Sequence, residues 1–580
     1  MKNSKKLLAL LLCMTSIGSV FAVSGCGDKE VQEFDDTKSQ LFVKYYNGGA
    51  GRAWIDEVIA NFEADYADVS FEKGKMGVEV VKDFEKSIIA VNNVKDDPNQ
   101  VYILVNTNYS EFVANNAMMD ITDVVNDGAL IDKDTEETST IASKISDRRK
   151  QYYNVGTEAE PKYYAIPFFE SSMNLQYNVK LFEDNCYYFA AGKTAEGWTD
   201  ADLKDYDKVI ELFVSNADDE RAYGPDNKTG NESGINYSLD DGLPATYDDF
   251  QALLTIMEYD GVIPFIWNGT ATSYLTCFAN EVWANNVGAE EYDLAFTFKG
   301  QSNTLLDLDA NGNIQYETDG VTPKMLGETA ISPETAYLLH AQKGKYDALR
   351  FTKMMMEADY YKDSFTVNYL DAQDYFINSI EMKEFDYRPI AMMVEGTWWH
   401  NEARPAYGSE ADRQAHKFGI MPLPKVDASQ LGEKNTKLSE RESLMFINNY
   451  CDEYAVPIAK EFMRYLQSDK AMNTFSAHTD MLRAMNYELS SDTLAKMSYY
   501  GKNVYEVSRS KNTEWVEWMP KSVEAQKNKG LLDYLTWGYN TAKGSNPFER
   551  MYASAALTPA ALFTESYTYI KNGWSVKSES

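Results

Sequence analysis

Four histidines, His340, His400, His416 and His478, stand among 89 acidic and 55 basic residues in this chain of 580. None sits in HExxH, and no GxSxG supplies a nucleophile elbow. Carboxylate pairs could serve glycoside hydrolysis, but so many acidic residues make pairs by chance. The residues that stand out are suited to binding. In "AMMVEGTWWHNEAR" (391–404) two adjacent tryptophans follow a short apolar run and a glycine. If the chain is extended there, both cannot face the same way.

Other clusters have the same character. "NGGAG" (47–51) lies where a strand end meets a helix N-terminus, where free backbone N–H groups meet a ligand oxygen. Asn47, with Tyr45 and Tyr46 before it, is a candidate cleft residue; the alternative is a plain tight turn. Neither GxxxxGK[ST] nor GxGxxG is present, so the loop is no phosphate cradle. Asn106, Asn108 and Tyr109 follow the strand-like "VYILVN", the position beyond a strand C-terminus where α/β sheets place ligands. "PFIWNGTATSY" puts Trp267, Asn268 and Tyr274 in a similar place, with Glu281 and Trp283 further on. "DLDANGNIQYET" (307–318) begins like a calcium loop, but its twelfth position is Thr318 rather than a bidentate glutamate, so a turn or hairpin is expected and no metal.

The ends and the charge set the location. Lys2, Lys5 and Lys6 precede the apolar "LLALLLCMTSIGSVFAV", which reads as a secretory leader over 1–25, too short for a membrane span. "VSGC" resembles the bacterial lipobox, which makes Cys26 a lipid-attachment site and 26–40 a charged tether. Two acyl chains on Cys26 would hold the protein on the outer face of the cell membrane. Cys186, Cys277 and Cys451 form neither a disulfide framework nor a zinc spacing. The net charge of −34 argues against nucleic acid and anionic lipid as partners.

These groups need elements to hold them. Residues 41–46 read as a strand and 52–66 as a helix, with Trp54, Val58, Phe62 and Tyr66 four apart and Ile55 and Ile59 beside them. Strands follow at 78–84 and 100–106, and helices alternate with them, which argues for a parallel sheet covered on both sides. "LPATYDDFQALLTIMEYDG" is a helix with Asp248 and Asp249 in its first turn and Gly261 as its stop. Residues 457–485 read as two helices.

The order of these segments is more specific than any one of them. The strand–Gly–Gly–helix start, "FEADY", "MDIT", a proline and "YN" ten residues apart, "LPATYDDF", "AMMVEGTWW", "GIMPLP" and "AKEFMRYLQSDKAM" together resemble the extracellular solute-binding proteins of ABC importers, in the group that takes up sugars. The resemblance covers most of 41–485. It implies an α/β, two-lobed periplasmic-binding-protein-like fold of type II, with a hinge and a ligand cleft between the lobes. Proline-marked crossings are expected near 163–168 and 421–426. The lobes would then be 41–165 with 425–485, and 166–424 with an insertion over about 186–242; 486–580 would pack mainly on the second lobe.

The resemblance also implies roles. Trp398 takes the place of the ligand-stacking tryptophan, Trp399 is expected to face the protein, and Glu395 and Thr397 supply polar contacts. "PFFESSMNLQYN" matches a ligand-facing segment and nominates Glu170 and Ser171. The expected ligand is a carbohydrate, the expected partners are permease subunits, and the chain is expected to act as a monomer without cofactor or catalysis. Two rivals stand beside this reading: a surface enzyme or adhesin acting on polysaccharide, and the same fold binding a non-sugar solute.

Overall fold

The computed structural model describes residues 34–85, 89–105, 107–127, 137–230, 239–358, 364–439, 443–517, 547–554 and 556–577. The leader, Cys26, the first part of the tether and Asn106 lie outside these residues. Among the described residues no helix is long and apolar enough to cross a membrane.

In chain order the strands are Ser39–Tyr46 (β1), Val78–Glu85 (β2), Val101–Leu104 (β3), Ile166–Pro167 (β4), Met173–Asn178 (β5), Ile263–Trp267 (β6), Gly300–Ser302 (β7), Thr329–Ile331 (β8), Ile390–Gly396 (β9), Phe418–Met421 (β10), Asn435–Ser439 (β11), Leu444–Ile447 (β12) and Thr513–Glu517 (β13). They form two main sheets, ordered β2-β1-β3-β12-β4 and β10-β5-β9-β6, and two short pairs, β11-β13 and β7-β8. Each main sheet is the centre of one lobe.

The expectation of a parallel sheet is corrected. β1 runs parallel to β2 and β3, but β12 pairs antiparallel with β3 and β4. In the second sheet β9 is parallel to β6 and antiparallel to β5. The antiparallel strands are those at which the chain leaves or re-enters a lobe. A chain that returns through a hinge meets its sheet from the opposite direction, whereas the βα units within a lobe keep one direction.

The passages between lobes follow from the same topology. β4 closes the first sheet at Pro167 and β5 opens the second at Met173, so the first passage is 168–172. The second runs from Pro422 to Ser443 and contains β11, which pairs in parallel with β13. The first passage lies a few residues later than expected, because Pro167 still takes a place in the edge strand β4; the second opens near the expected 421–426 and runs on to Ser443.

The helix Ala53–Asp65 buries Trp54, Ile55, Val58, Ile59 and Phe62 against the first sheet. This is the face its apolar spacing dictates. Helix Tyr247–Tyr259 opens with a reciprocal capping box between Thr246 and Asp249, so Asp249 is spent on backbone rather than displayed. The stretch 307–318 folds as a hairpin, and the Asp309 carboxylate accepts from the N–H groups of Asn311 and Asn313. The C-terminal part is divided between the lobes. Helix Ser491–Lys496 packs on Asp469–Thr479 of the first lobe, Tyr499–Arg509 packs on β10, and Pro559–Lys577 packs on Lys343–Glu357.

Candidate functional site

β9 runs Ile390–Gly396, and Trp398 and Trp399 begin the short helix that follows it. The turn out of the strand separates the two rings. Trp399 is fully buried, packed edge-on against Phe376, Phe418 and Tyr500 with centroids 5.2–5.5 Å away. It belongs to the core of the second lobe.

Trp398 folds back over Gly396 and stands against the other lobe. A Cβ on Gly396 would lie 2.2 Å from the indole, so only glycine lets the ring take this place. On its opposite side, a Cβ on Gly49 of the β1–helix loop would lie 2.9 Å from the Trp398 Cβ. Asn401 Nδ2, one helical turn on, donates to the Gly49 carbonyl at 2.5 Å. The Gly49 backbone holds φ at +75°, a value that suits glycine. Tyr274 meets the indole edge-on, with centroids 6.1 Å apart. Loop 47–51 is closed by Gly51 N–H donating to the Asn47 carbonyl.

Polar groups gather beside this contact. Glu395 is fully buried. One of its oxygens accepts from the Gly396 N–H at 2.6 Å, and the other accepts from Gln373 Nε2 at 3.2 Å. The same Gln373 Nε2 donates to Glu402 at 2.9 Å, so two carboxylates converge on one amide. Tyr369, one turn before Gln373, is partly exposed. Burial, with the charges of Glu402 and Glu395 and the Tyr46 phenol, raises the pKa of its own phenol. Among the described residues, Gln373 Oε1, Ser171 Oγ, Trp267 Nε1 and Asn268 Nδ2 are buried without a hydrogen-bond partner. Buried polar atoms in that state are few in native proteins.

Several expected site residues are engaged elsewhere. Glu170 accepts from Arg149 Nη1 at 2.9 Å and from Arg509 Nη1 at 2.9 and 3.1 Å. A buried carboxylate held by two guanidinium groups is a hinge fastener, and its lone pairs are committed. Asn108 caps helix Tyr109–Ala114 by accepting from Glu111 N–H. Tyr109 is core, its hydroxyl donating to the Tyr153 carbonyl at 2.7 Å. Trp267 packs its ring against Phe265 and Phe365. Trp283 donates from Nε1 to Gln342 Oε1 inside the second lobe, and Glu281 faces Lys437. Thr397 N–H donates to the Ser172 carbonyl across the first passage.

Two further clusters tie the lobes together. Arg148 of the first lobe pairs with Asp293 of the second and with Glu514 of β13 at 3.2 Å. Asp480, at the end of helix Asp469–Thr479, accepts from Arg413 Nη1 at 2.5 Å and from Ser498 Oγ at 2.9 Å and lies 3.3 Å from His400 Nδ1. Burial lowers the pKa of His400, outweighing the favourable pull of Asp480.

Sequence reasoning passed over Tyr369, Gln373, Asn401 and Glu402. A signal existed: Tyr369 and Gln373 are four apart on one helix, and Glu402 follows Trp398 by four. Each shares a helical face with a residue at the lobe boundary.

The arrangement of two α/β lobes, two hinge passages and an aromatic at the lobe boundary is the fold of the two-lobed solute-binding proteins. Solved structures similar to this chain include a chitin oligosaccharide binding protein (11% identity, 93% of this chain and 99% of that one covered, TM-score 0.51). They also include a solute-binding protein in complex with raffinose (12% identity, 92% and 100% covered, TM-score 0.51) and the ligand-free form of a RafE protein from Streptococcus pneumoniae (12%, 93% and 99%, TM-score 0.52). No protein-family model and no curated protein matches the sequence.

Proposed function

We propose that this chain is the extracytoplasmic solute-binding component of an ABC importer, capturing an oligosaccharide between its lobes and delivering it to the membrane permease. The observation that carries the reading is Trp398, an indole held at the boundary of the lobes against Gly49 with Tyr274 edge-on to it, and the cluster of Glu395, Gln373 and Glu402 on the same segment and the helix before it. This is the pairing of flat aromatic and hydroxyl-binding groups that a sugar requires. The solved proteins of this fold that bind chitin oligosaccharide and raffinose support the ligand class. Lobe closure on the ligand makes the closed form the one a permease selects, a population shift driven by tighter binding to that state. The leader and "VSGC" support anchoring through Cys26, with the chain acting as a monomer on the outer face of the cell membrane. No bond is made or broken in the ligand.

Thermal unfolding against a panel of mono- and oligosaccharides tests this reading. A ligand at 100 times its Kd adds about 2.7 kcal/mol to a protein that binds it only when folded. One glycan family should raise the midpoint and be recovered intact. Cleavage of the glycan would make the chain an enzyme, with Glu395 and Glu402 as its first suspects. No shift with any glycan would overturn the sugar assignment.

A further inference from the structure

Three buried side chains meet where the second hinge passage lies against the second lobe: Lys437 on β11, Asn174 on β5 and Glu281 in the middle of helix Thr272–Val287. Their exposures are 4%, 1% and 0%. Lys437 Nζ lies 2.5 Å from Asn174 Oδ1 and 3.3 Å from Glu281 Oε1. The amide carbon stands one C=O bond, about 1.23 Å, behind that oxygen. The Asn174 amide nitrogen is held by the carbonyl and the hydroxyl of Ser172, each at 2.9 Å. Glu281 Oε2 accepts from Leu438 N–H at 2.7 Å, which fixes the carboxyl and leaves Oε1 facing the lysine.

From this geometry we infer that Lys437 and Asn174 join in an intramolecular isopeptide bond, with Glu281 as the proton carrier. The site brings together an amine, a carboxamide and a carboxyl group, shielded from water. The reaction begins with transfer of one proton from the Lys437 ammonium to the Glu281 carboxylate 3.3 Å away, which leaves both groups neutral. Burial pushes the Glu281 carboxyl up to about 7, with the Lys437 charge opposing. The neutral amine attacks Asn174 Cγ while Glu281 protonates Oδ1, and the new Cγ–Nζ bond forms. Glu281 takes the proton from the attacking nitrogen and passes it to Nδ2, the Cγ–Nδ2 bond breaks, and ammonia leaves. The Oδ1 proton returns to Glu281 as the carbonyl reforms. One amide is exchanged for another, one ammonia is released, and no oxidant or cofactor takes part.

The bond would join positions 263 residues apart and fix β11, and with it the second passage, to the sheet of the second lobe. A cross-link of that span constrains the unfolded chain as a disulfide does. Among the described residues the cysteines Cys186, Cys277 and Cys451 are all free, so such a link would supply what disulfides do not.

The test is proteolysis of the denatured full chain followed by mass spectrometry. The expected product is a branched peptide joining the segments that carry Asn174 and Lys437, lighter than the two together by one ammonia and uncut by trypsin after Lys437. Glu281→Gln keeps size and hydrogen bonding but cannot carry the proton; the branched peptide should fall at least about tenfold in a variant with unchanged circular dichroism. Two linear peptides of full mass from the wild-type chain, after prolonged incubation in its folded state, would overturn the proposal. So would a branched peptide undiminished in Glu281→Gln.

Discussion

The Cβ of Trp398 and the Cα of Gly49 belong to different lobes, and any side chain at position 49 would begin 2.9 Å from that Cβ. The contact is therefore a gauge of lobe approach. It sits beside the aromatic proposed to hold the ligand, so closure and recognition involve the same few atoms.

Trp398→Ala should weaken oligosaccharide binding at least about tenfold, or about 1.4 kcal/mol, measured by calorimetric titration. The fold should survive, because Trp398 is buried at the lobe boundary, whereas Trp399 packs inside the second lobe against Phe376, Phe418 and Tyr500. A variant that binds as tightly as wild type would take Trp398 out of the site.

Gly49→Ala acts on closure alone. The added methyl meets the Trp398 side chain and strains a backbone held at φ +75°. Scattering of the liganded variant should show a larger radius of gyration than liganded wild type, and affinity should drop without loss of any ligand contact.

Glu170→Gln should lower unfolding free energy by at least about 1–3 kcal/mol, since it removes the charge that buried Arg149 shares with half-buried Arg509, leaving Arg149 only Glu517. Chemical denaturation measures this. The result separates the hinge role from a ligand role: a structural carboxylate lowers stability with or without glycan present.

His400 sets a pH dependence. Its folded pKa is lowered by burial from the ordinary 6.5, so as pH falls through about 6.5 the unfolded chain takes up a proton that the folded chain refuses. Stability from this group is complete above that pH and declines below it. Between pH 7 and 5 the melting midpoint of wild type should fall more steeply than that of His400→Gln.

Much of the frame was legible because apolar spacing and cap chemistry are local. The face of Ala53–Asp65 and the first turn of Tyr247–Tyr259 could be read residue by residue. The site was less so. "PFFESS" marks a polar break in an apolar stretch, but nothing in it shows that Glu170 meets Arg149 and Arg509, the latter 339 positions away. Asn108 looked like a ligand group at a strand end; the same position is a helix N-cap, and an asparagine serves either use. Gln373 and Glu402 carry no motif; Gln373 reaches Glu395 because helix Tyr369–Asn378 packs against β9, and Glu402 because its short helix follows directly on that strand. The first hinge passage lies a few residues beyond Pro167 because proline marks stiffness, while strand pairing decides where a lobe ends.

The most direct test of the central claim is X-ray scattering during titration with the glycan found by the thermal panel, with the sugar recovered afterwards. Capture by lobe closure predicts a radius of gyration that falls and saturates at one glycan per chain, with the glycan chemically unchanged. A radius that stays constant at saturation, or a glycan returned in pieces, would contradict it.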